Sequence, residues 1–161
     1  MNELLANATI RPKVHQFELH PYLQQSDWVD FHLKNNISVT GYAPLANTSP
    51  YYRFASNSNP TKPPLLLENP VLQEIAKARN CTTAQVSLAW NMRRGVAVIP
   101  KSSHTYRQKE NMEALEHCKL TDEDSTKIQG MSTKWVGRFN NPCKMIGMPC
   151  FAGLLAPDQG I

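Results

Sequence analysis

The chain has 161 residues, 41% hydrophobic and 19% charged, with a formal net charge of +4. That length suits one domain spanning residues 1–161, able to bury roughly 70% of the surface its unfolded chain exposes. No apolar run approaches the ~18 residues of a membrane span, and Met1-Asn2-Glu3 opens without the basic and apolar segments of a secretory leader.

No membrane partner is therefore expected. Nor is nucleic acid, because the basic residues are spread along the chain and only Arg93-Arg94 are adjacent. Cys81, Cys118, Cys143 and Cys150 have no zinc-ligand spacing, so no metal site is read and reduced cysteines of a cytoplasmic protein are expected.

Thirteen residues, enough for part of one helix, precede the first strand-like segment, Val14 to Leu19. Its alternation puts Gln16 and Glu18 on one side and His15, Phe17 and Leu19 on the other. Ser26 can cap a helix from about Asp27 to Lys34, with Trp28, Phe31 and Leu33 as its apolar members. Ile37 to Tyr42 is a second strand, rich in β-branched residues. A long irregular stretch runs from Ala43 to about Leu67. Asn69 and Pro70 then start a helix to Arg79, with Val71, Leu72, Ile75 and Ala76 at helical spacing.

Thr82 and Gln85 have the spacing of a capping box at the head of the next helix, which buries Val86, Leu88 and Ala89 and stops at Gly95. Val96 to Ile99 is a short strand followed by Pro100-Lys101-Ser102. Thr105 opens a helix to about Glu116, and Thr121 with Asp124 opens another. From Ser132 onward the chain reads as an irregular tail with Trp135, Phe139 and Phe151 as anchors. Strands alternating with helices predict a parallel sheet with right-handed crossovers. Sites in such folds gather at the carboxyl ends of the strands, where this chain places its most distinctive polar residues.

Those strand ends carry a resemblance. Pro12 to Tyr22, reading PKVHQFELHPY, Ser38 to Leu45, reading SVTGYAPL, and Gly95 to Asn111, with Ile99-Pro100-Lys101-Ser102, Arg107 and Glu110-Asn111, resemble the sixth, seventh and eighth strand segments of aldo-keto reductases. The likeness runs from about Arg11 to Pro149 in the same order and spacing. It implies an α/β chain that is a partial (β/α)8 TIM barrel, the last three βα units plus a C-terminal loop. A full barrel takes ~250 residues. The first five strands would lie upstream, so the reading is of a truncated reductase domain.

The resemblance implies NADP(H) as cofactor and a small-molecule carbonyl as substrate, in metabolite or secondary-metabolite chemistry. Gln16 would hydrogen-bond the nicotinamide amide, to which it offers both donor and acceptor. Tyr42 would stack on the nicotinamide ring. Ala43 to Asn47, with Leu45 in the implied cofactor set, resembles the start of a loop over the pyrophosphate, although family members usually carry Gly and Ser near Ala46 and Asn47. Lys101, Ser102 and Arg107 match the residues that hold the adenosine 2′-phosphate, and Glu110 and Asn111 match the adenine contacts. The family's catalytic Tyr, Lys, Asp and His lie upstream of this region. No catalytic residue is therefore assigned, and an enzyme is expected on family grounds only.

Taken singly, Gln16 and Tyr42 read as satisfied interior residues and Lys101 and Arg107 as solvated charges; taken jointly, they read as a site. His20, His32, His104 and His117 read as structural or surface, His15 as an outward strand residue, and Trp28 and Trp90 as packing. Glu18 and its neighbours would lose facing partners without five strands, and two open sheet edges would support self-association. The alternatives are a non-catalytic NADP-binding module and a protein-interaction remnant of a reductase.

Overall fold

A computed structural model of the chain describes residues 1–46, 48 and 63–140. The short helix α1 (Asn2–Asn7) buries none of its residues. Then come β1 (Val14–Glu18), α2 (Ser26–Lys34), β2 (Ser38–Tyr42), a 3-10 turn (Leu66–Glu68), α3 (Pro70–Arg79), α4 (Thr83–Arg93) and β3 (Val96–Val98). The chain continues through α5 (Thr105–Met112), α6 (Ala114–His117), α7 (Asp122–Gly130) and a 3-10 turn (Met131–Thr133).

The strands form a three-stranded sheet in the order β1-β2-β3. Both pairings are parallel, with Gln16 opposite Thr40, Glu18 opposite Tyr42, and Thr40 opposite Ala97. This is the α/β class with a parallel sheet that the alternation predicts. Phe17, Leu19, Val29, Val39 and Val96 form one buried cluster between the sheet and α2. A larger cluster joins Tyr22, Ala46 and Leu66 to Leu72, Ile75, Val86, Trp90, Cys118 and Ile128. Trp135 and Phe139 of the tail pack against that second cluster, as the sequence predicts; Phe151 lies outside the described residues.

The predicted caps of four helices divide cleanly, three formed and one not. Asn69 Oδ1 accepts from the Val71 N–H at 2.9 Å, with Pro70 at the first helical position. The Thr82–Gln85 and Thr121–Asp124 boxes are both formed. Ser26 is not a cap. It is the first residue of α2, and Gln25 stands at the cap position with φ 43°. The Gln25 amide turns back to the Glu18 carbonyl at 2.7 Å, which holds the chain in that left-handed bend. The buried face of α2 is correspondingly Val29 and His32, while Leu33 is exposed and Trp28 and Phe31 are half-buried.

The single helix predicted from Thr105 to Glu116 is two. Glu113 (φ −82°, ψ −1°) breaks it. The break delivers Ala114 and Cys118 to the core, where both are buried. Cys118 is bonded to Cys81, with the Cα atoms 5.5 Å apart. This corrects the expectation of reduced cysteines for that pair; Cys143 and Cys150 lie outside the described residues.

Gly41 lies on the middle strand, β2. A Cβ there would stand 3.1 Å from Leu19 Cβ and 3.2 Å from Val96 Cγ1. Among the described residues no helix is long and apolar enough to cross a membrane, and no group of metal-ligating side chains forms.

Candidate functional site

Residues paired across a parallel ladder point to the same face of the sheet. The register therefore puts Gln16 and Thr40 on one face with Glu18 and Tyr42, further along toward the carboxyl ends. The ladder runs slightly past the strands: the Leu19 N–H donates to the Tyr42 carbonyl at 3.2 Å and the Ile99 N–H to the Gly41 carbonyl at 3.3 Å. All three carboxyl ends thus lie side by side, and Lys101 and Ser102 emerge just beyond the third. Gln16 is exposed and Tyr42 half-buried.

After β2 the chain turns through Ala43 and Ala46, with φ of 48° and 50°. The Pro44 carbonyl accepts from Ser87 Oγ at 2.8 Å, which ties the turn carrying half-buried Leu45 to α4. Asn47 lies outside the described residues.

Ser102 organises the loop before α5. Its Oγ accepts from the His104 N–H at 3.1 Å, and its carbonyl accepts from Gln108 Nε2 at 2.8 Å. Arg107 is exposed on the first turns of α5, its guanidinium 5.4 Å from the Tyr106 ring centroid. Glu110 and Asn111, three and four residues on, share its helix face and are half-buried. The Glu110 carbonyl accepts from Gln85 Nε2 at 3.1 Å. Because Gln85 is also the box residue of α4, the head of α4 fixes where α5 lies.

The predicted residues thus fall into two groups. Gln16 and Tyr42 share a sheet face; Lys101, Ser102, Arg107, Glu110 and Asn111 follow the next strand along the same edge. Among the described residues neither Lys101 nor Arg107 forms an ion pair, and α5 has no side-chain cap on its first N–H groups. Exposed cations beside an uncapped helix start suit a phosphate group. The amide of Gln16 beside the ring of Tyr42 suits a flat carboxamide. The donor set therefore fits a phosphorylated dinucleotide.

One part of the site is invisible in the strand pattern. Glu18 is fully buried, yet it does not lack partners as the sequence reading expects. Its Oε1 accepts from the Phe139 N–H at 2.8 Å and from His20 Nε2 at 3.1 Å; its Oε2 accepts from the Asn140 N–H at 3.1 Å. The Arg138 guanidinium stands 3.8 Å from Oε2. Burial works against the carboxylate, but the His20 and backbone hydrogen bonds prevail and hold it below its ordinary range. Tyr42 stands beside this cluster as the ladder partner of Glu18. Burial pushes the Tyr42 phenol up, as does the Glu18 charge, and Arg138 opposes both. The sequence signal for this cluster is an acid on the polar face of a strand with His20 two residues on; its backbone partners come from more than a hundred residues away.

The Aldo/keto reductase family pattern matches residues 1–133. An NADP-dependent D-sorbitol-6-phosphate dehydrogenase of Malus domestica is 37% identical over 150 residues, 93% of this chain and 46% of that protein. An NAD(P)H-dependent D-xylose reductase of Aspergillus niger is 36% identical over 140 residues, 87% of this chain and 42% of that protein. Among solved structures, an aldose reductase from Giardia lamblia superposes with a TM-score of 0.76 at 31% identity, over 94% of this chain and 47% of that one. An aldo-keto reductase complexed with NADPH gives a TM-score of 0.80 at 28% identity, over 100% and 47%. The chain spans less than half the length of these relatives. On the match over residues 1–133, the protein belongs to the aldo/keto reductase family.

Proposed function

We propose that the chain forms the NADP(H)-binding face of a carbonyl reductase, as the last three βα units and C-terminal loop of a (β/α)8 barrel. The observation that carries this reading is the joint placement described above: Gln16 and Tyr42 on one sheet face, with unpaired Lys101 and Arg107 after the next parallel strand. The relative named as NADP-dependent and the similar structure complexed with NADPH support the choice of cofactor.

In this reading NADPH supplies the hydride to a small-molecule aldehyde or ketone. Gln16 holds the carboxamide and Tyr42 backs the nicotinamide ring, leaving one ring face toward substrate. Leu45 lies in the turn beside the pyrophosphate. Lys101 gives the 2′-phosphate a point charge, Ser102 a hydroxyl, and Arg107 a two-pronged donor. Glu110 and Asn111 border the adenine. None of this chain's residues is assigned the proton-donating role that carbonyl reduction requires. We place the protein in the cytoplasm, with self-association through the outer edges of β1 and β3.

Titration with NADPH, followed by nicotinamide fluorescence, tests the reading. Saturable binding that Lys101→Met and Arg107→Met weaken is expected, and absence of binding overturns it in favour of an interaction remnant. NADPH oxidation that depends on an added carbonyl substrate is expected next; binding without turnover makes the chain a non-catalytic NADP-binding module.

A further inference from the structure

Helix α5 buries none of its residues, so no apolar face holds it to the fold. The segment 105–118 is held in other ways. The Gln85 amide at the head of α4 donates to the Glu110 carbonyl at 3.1 Å. Ala114 in α6 and Cys118 just past it are both buried. Cys118 is bonded to Cys81, which stands immediately before Thr82, the cap of α4. The same helix head therefore grips the segment by a hydrogen bond and by a covalent bond. Two residues further on, Arg93 Nη1 donates to the Leu120 carbonyl at 2.6 Å and the chain is fixed again.

Access to the covalent bond is one-sided. Cys118 is 1% exposed, whereas Cys81 is half-buried. Cys81 lines a cleft of about 480 Å³ together with Thr82, Gln85, Glu110, Glu113 and His117. We propose that Cys81–Cys118 is a reversible thiol–disulfide modification site that sets how firmly Arg107, Glu110 and Asn111 are presented to the cofactor. The reductant it takes is a dithiol. One thiolate of the dithiol attacks Cys81 Sγ, the bond between the two sulfurs breaks, and Cys118 leaves as a thiolate that takes up a proton. The second thiolate of the dithiol then attacks the mixed disulfide, and Cys81 leaves and is protonated in turn. Two electrons and two protons pass to the protein, and the dithiol is oxidised to a disulfide.

The proposal rests on the functional reading above, in which Arg107, Glu110 and Asn111 meet the adenosine end of NADPH. While the bond stands, the segment is ordered in advance and a ligand has less freedom to remove when it binds. After reduction, the Gln85–Glu110 hydrogen bond and the packing of Ala114 hold the segment without the covalent tie, and it can open locally. Hydrogen exchange compares the full chain treated with oxidised glutathione and with dithiothreitol, while mass mapping of alkylated thiols follows Cys81 and Cys118. Amides of residues 105–118 should exchange several-fold faster after reduction, and those of β2 should stay protected. Equal exchange in the two states, loss of protection in β2 as well, or failure of the bond to form under oxidised glutathione overturns the proposal.

For cofactor binding, the reduced chain should bind NADPH at least about fivefold more weakly than the oxidised chain. Cys81→Ser and Cys118→Ser should each show the weaker binding without reductant and no response to it. A response retained in these variants assigns the effect to Cys143 or Cys150 and overturns the proposal, as does equal affinity in the two states of the wild type. If neither state binds NADPH while residues 105–118 alone loosen on reduction, the functional reading fails and the redox tie of the segment stands.

Discussion

Asp124 Oδ2 accepts from Arg79 Nε at 2.6 Å and, with the same oxygen, from the Thr121 N–H at 2.9 Å. One carboxylate thus caps α7 and fastens it to the end of α3. Burial raises its ionisation, but the Arg79 and Thr121 hydrogen bonds outweigh that and hold it below the ordinary aspartate range. A carboxyl lowered in the folded state binds fewer protons there than in the unfolded chain. Its contribution is complete above the ordinary value near 4 and is lost as pH falls through the lower folded value. Asp124→Asn should destabilise the chain by about 1–2 kcal/mol at neutral pH, with the gap closing below about pH 4. Urea midpoints of both proteins across that range check this.

His15 and His32 give a second pH effect, of the same sign but in a different window. His32 Nδ1 lies 2.6 Å from the Trp28 carbonyl and must donate to it, so its Nε2 accepts from His15 Nδ1 at 2.7 Å. Burial lowers the His15 ionisation, and the charge of His32 lowers it further. Burial also lowers His20, against the pull of Glu18. Each group binds more protons unfolded than folded below the ordinary value of 6.5, so stability falls as pH drops from there toward the lower folded values. His15→Phe should flatten part of that fall. A melting temperature that declines with acid as steeply as in the wild type would count against the assignment.

Gly41 is a packing constraint. With 3.1 Å to Leu19 Cβ and 3.2 Å to Val96 Cγ1, a methyl group pushes on two buried side chains from both neighbouring strands. Gly41→Ala should cost about 1–3 kcal/mol. Denaturant unfolding measures it, and an unchanged midpoint would show that the sheet can spread there.

The Cys81–Cys118 bond closes a separation of 37 residues, joining the end of α3 to the end of α6. Loop-closure entropy gives such a link about 3–4 kcal/mol. Reduction, or Cys81→Ser, should lower the urea midpoint accordingly. Alkylation and mass measurement on protein taken directly from cells shows whether the bond exists in the proposed cytoplasm, where thiols are normally kept reduced.

Lys101→Met combined with Arg107→Met should weaken NADPH by at least about a hundredfold while changing NADH affinity little, since only NADPH carries the extra phosphate. Parallel titrations with the two nucleotides give the ratio. Equal losses would place these cations elsewhere on the ligand.

Much of this fold is legible because its signals are local. Asn69-Pro70, Thr82 with Gln85, and Thr121 with Asp124 each announce a helix start within four residues, and all three helices begin there. The alternation of β1 and β2 separates Phe17, Leu19 and Val39 from Gln16, Glu18 and Tyr42 on the correct faces. The failures are long-range. Ser26 has the chemistry of a cap, but the Gln25 side chain reaching Glu18 decides where α2 begins. The break at Glu113 has no local breaker; it follows from burying Ala114 and pairing Cys118 with Cys81. The backbone partners of Glu18, at 139 and 140, lie beyond any window in which periodicity operates.

At residues 139 and 140 Glu18 takes hold of the main-chain N–H groups and not of the side chains those residues carry. Every amino acid except proline presents that same donor. Selection can therefore redraw the side chains of this stretch while the course of the polypeptide past the sheet stays where it is. The carboxylate preserves a route, and leaves the identities along it open to change.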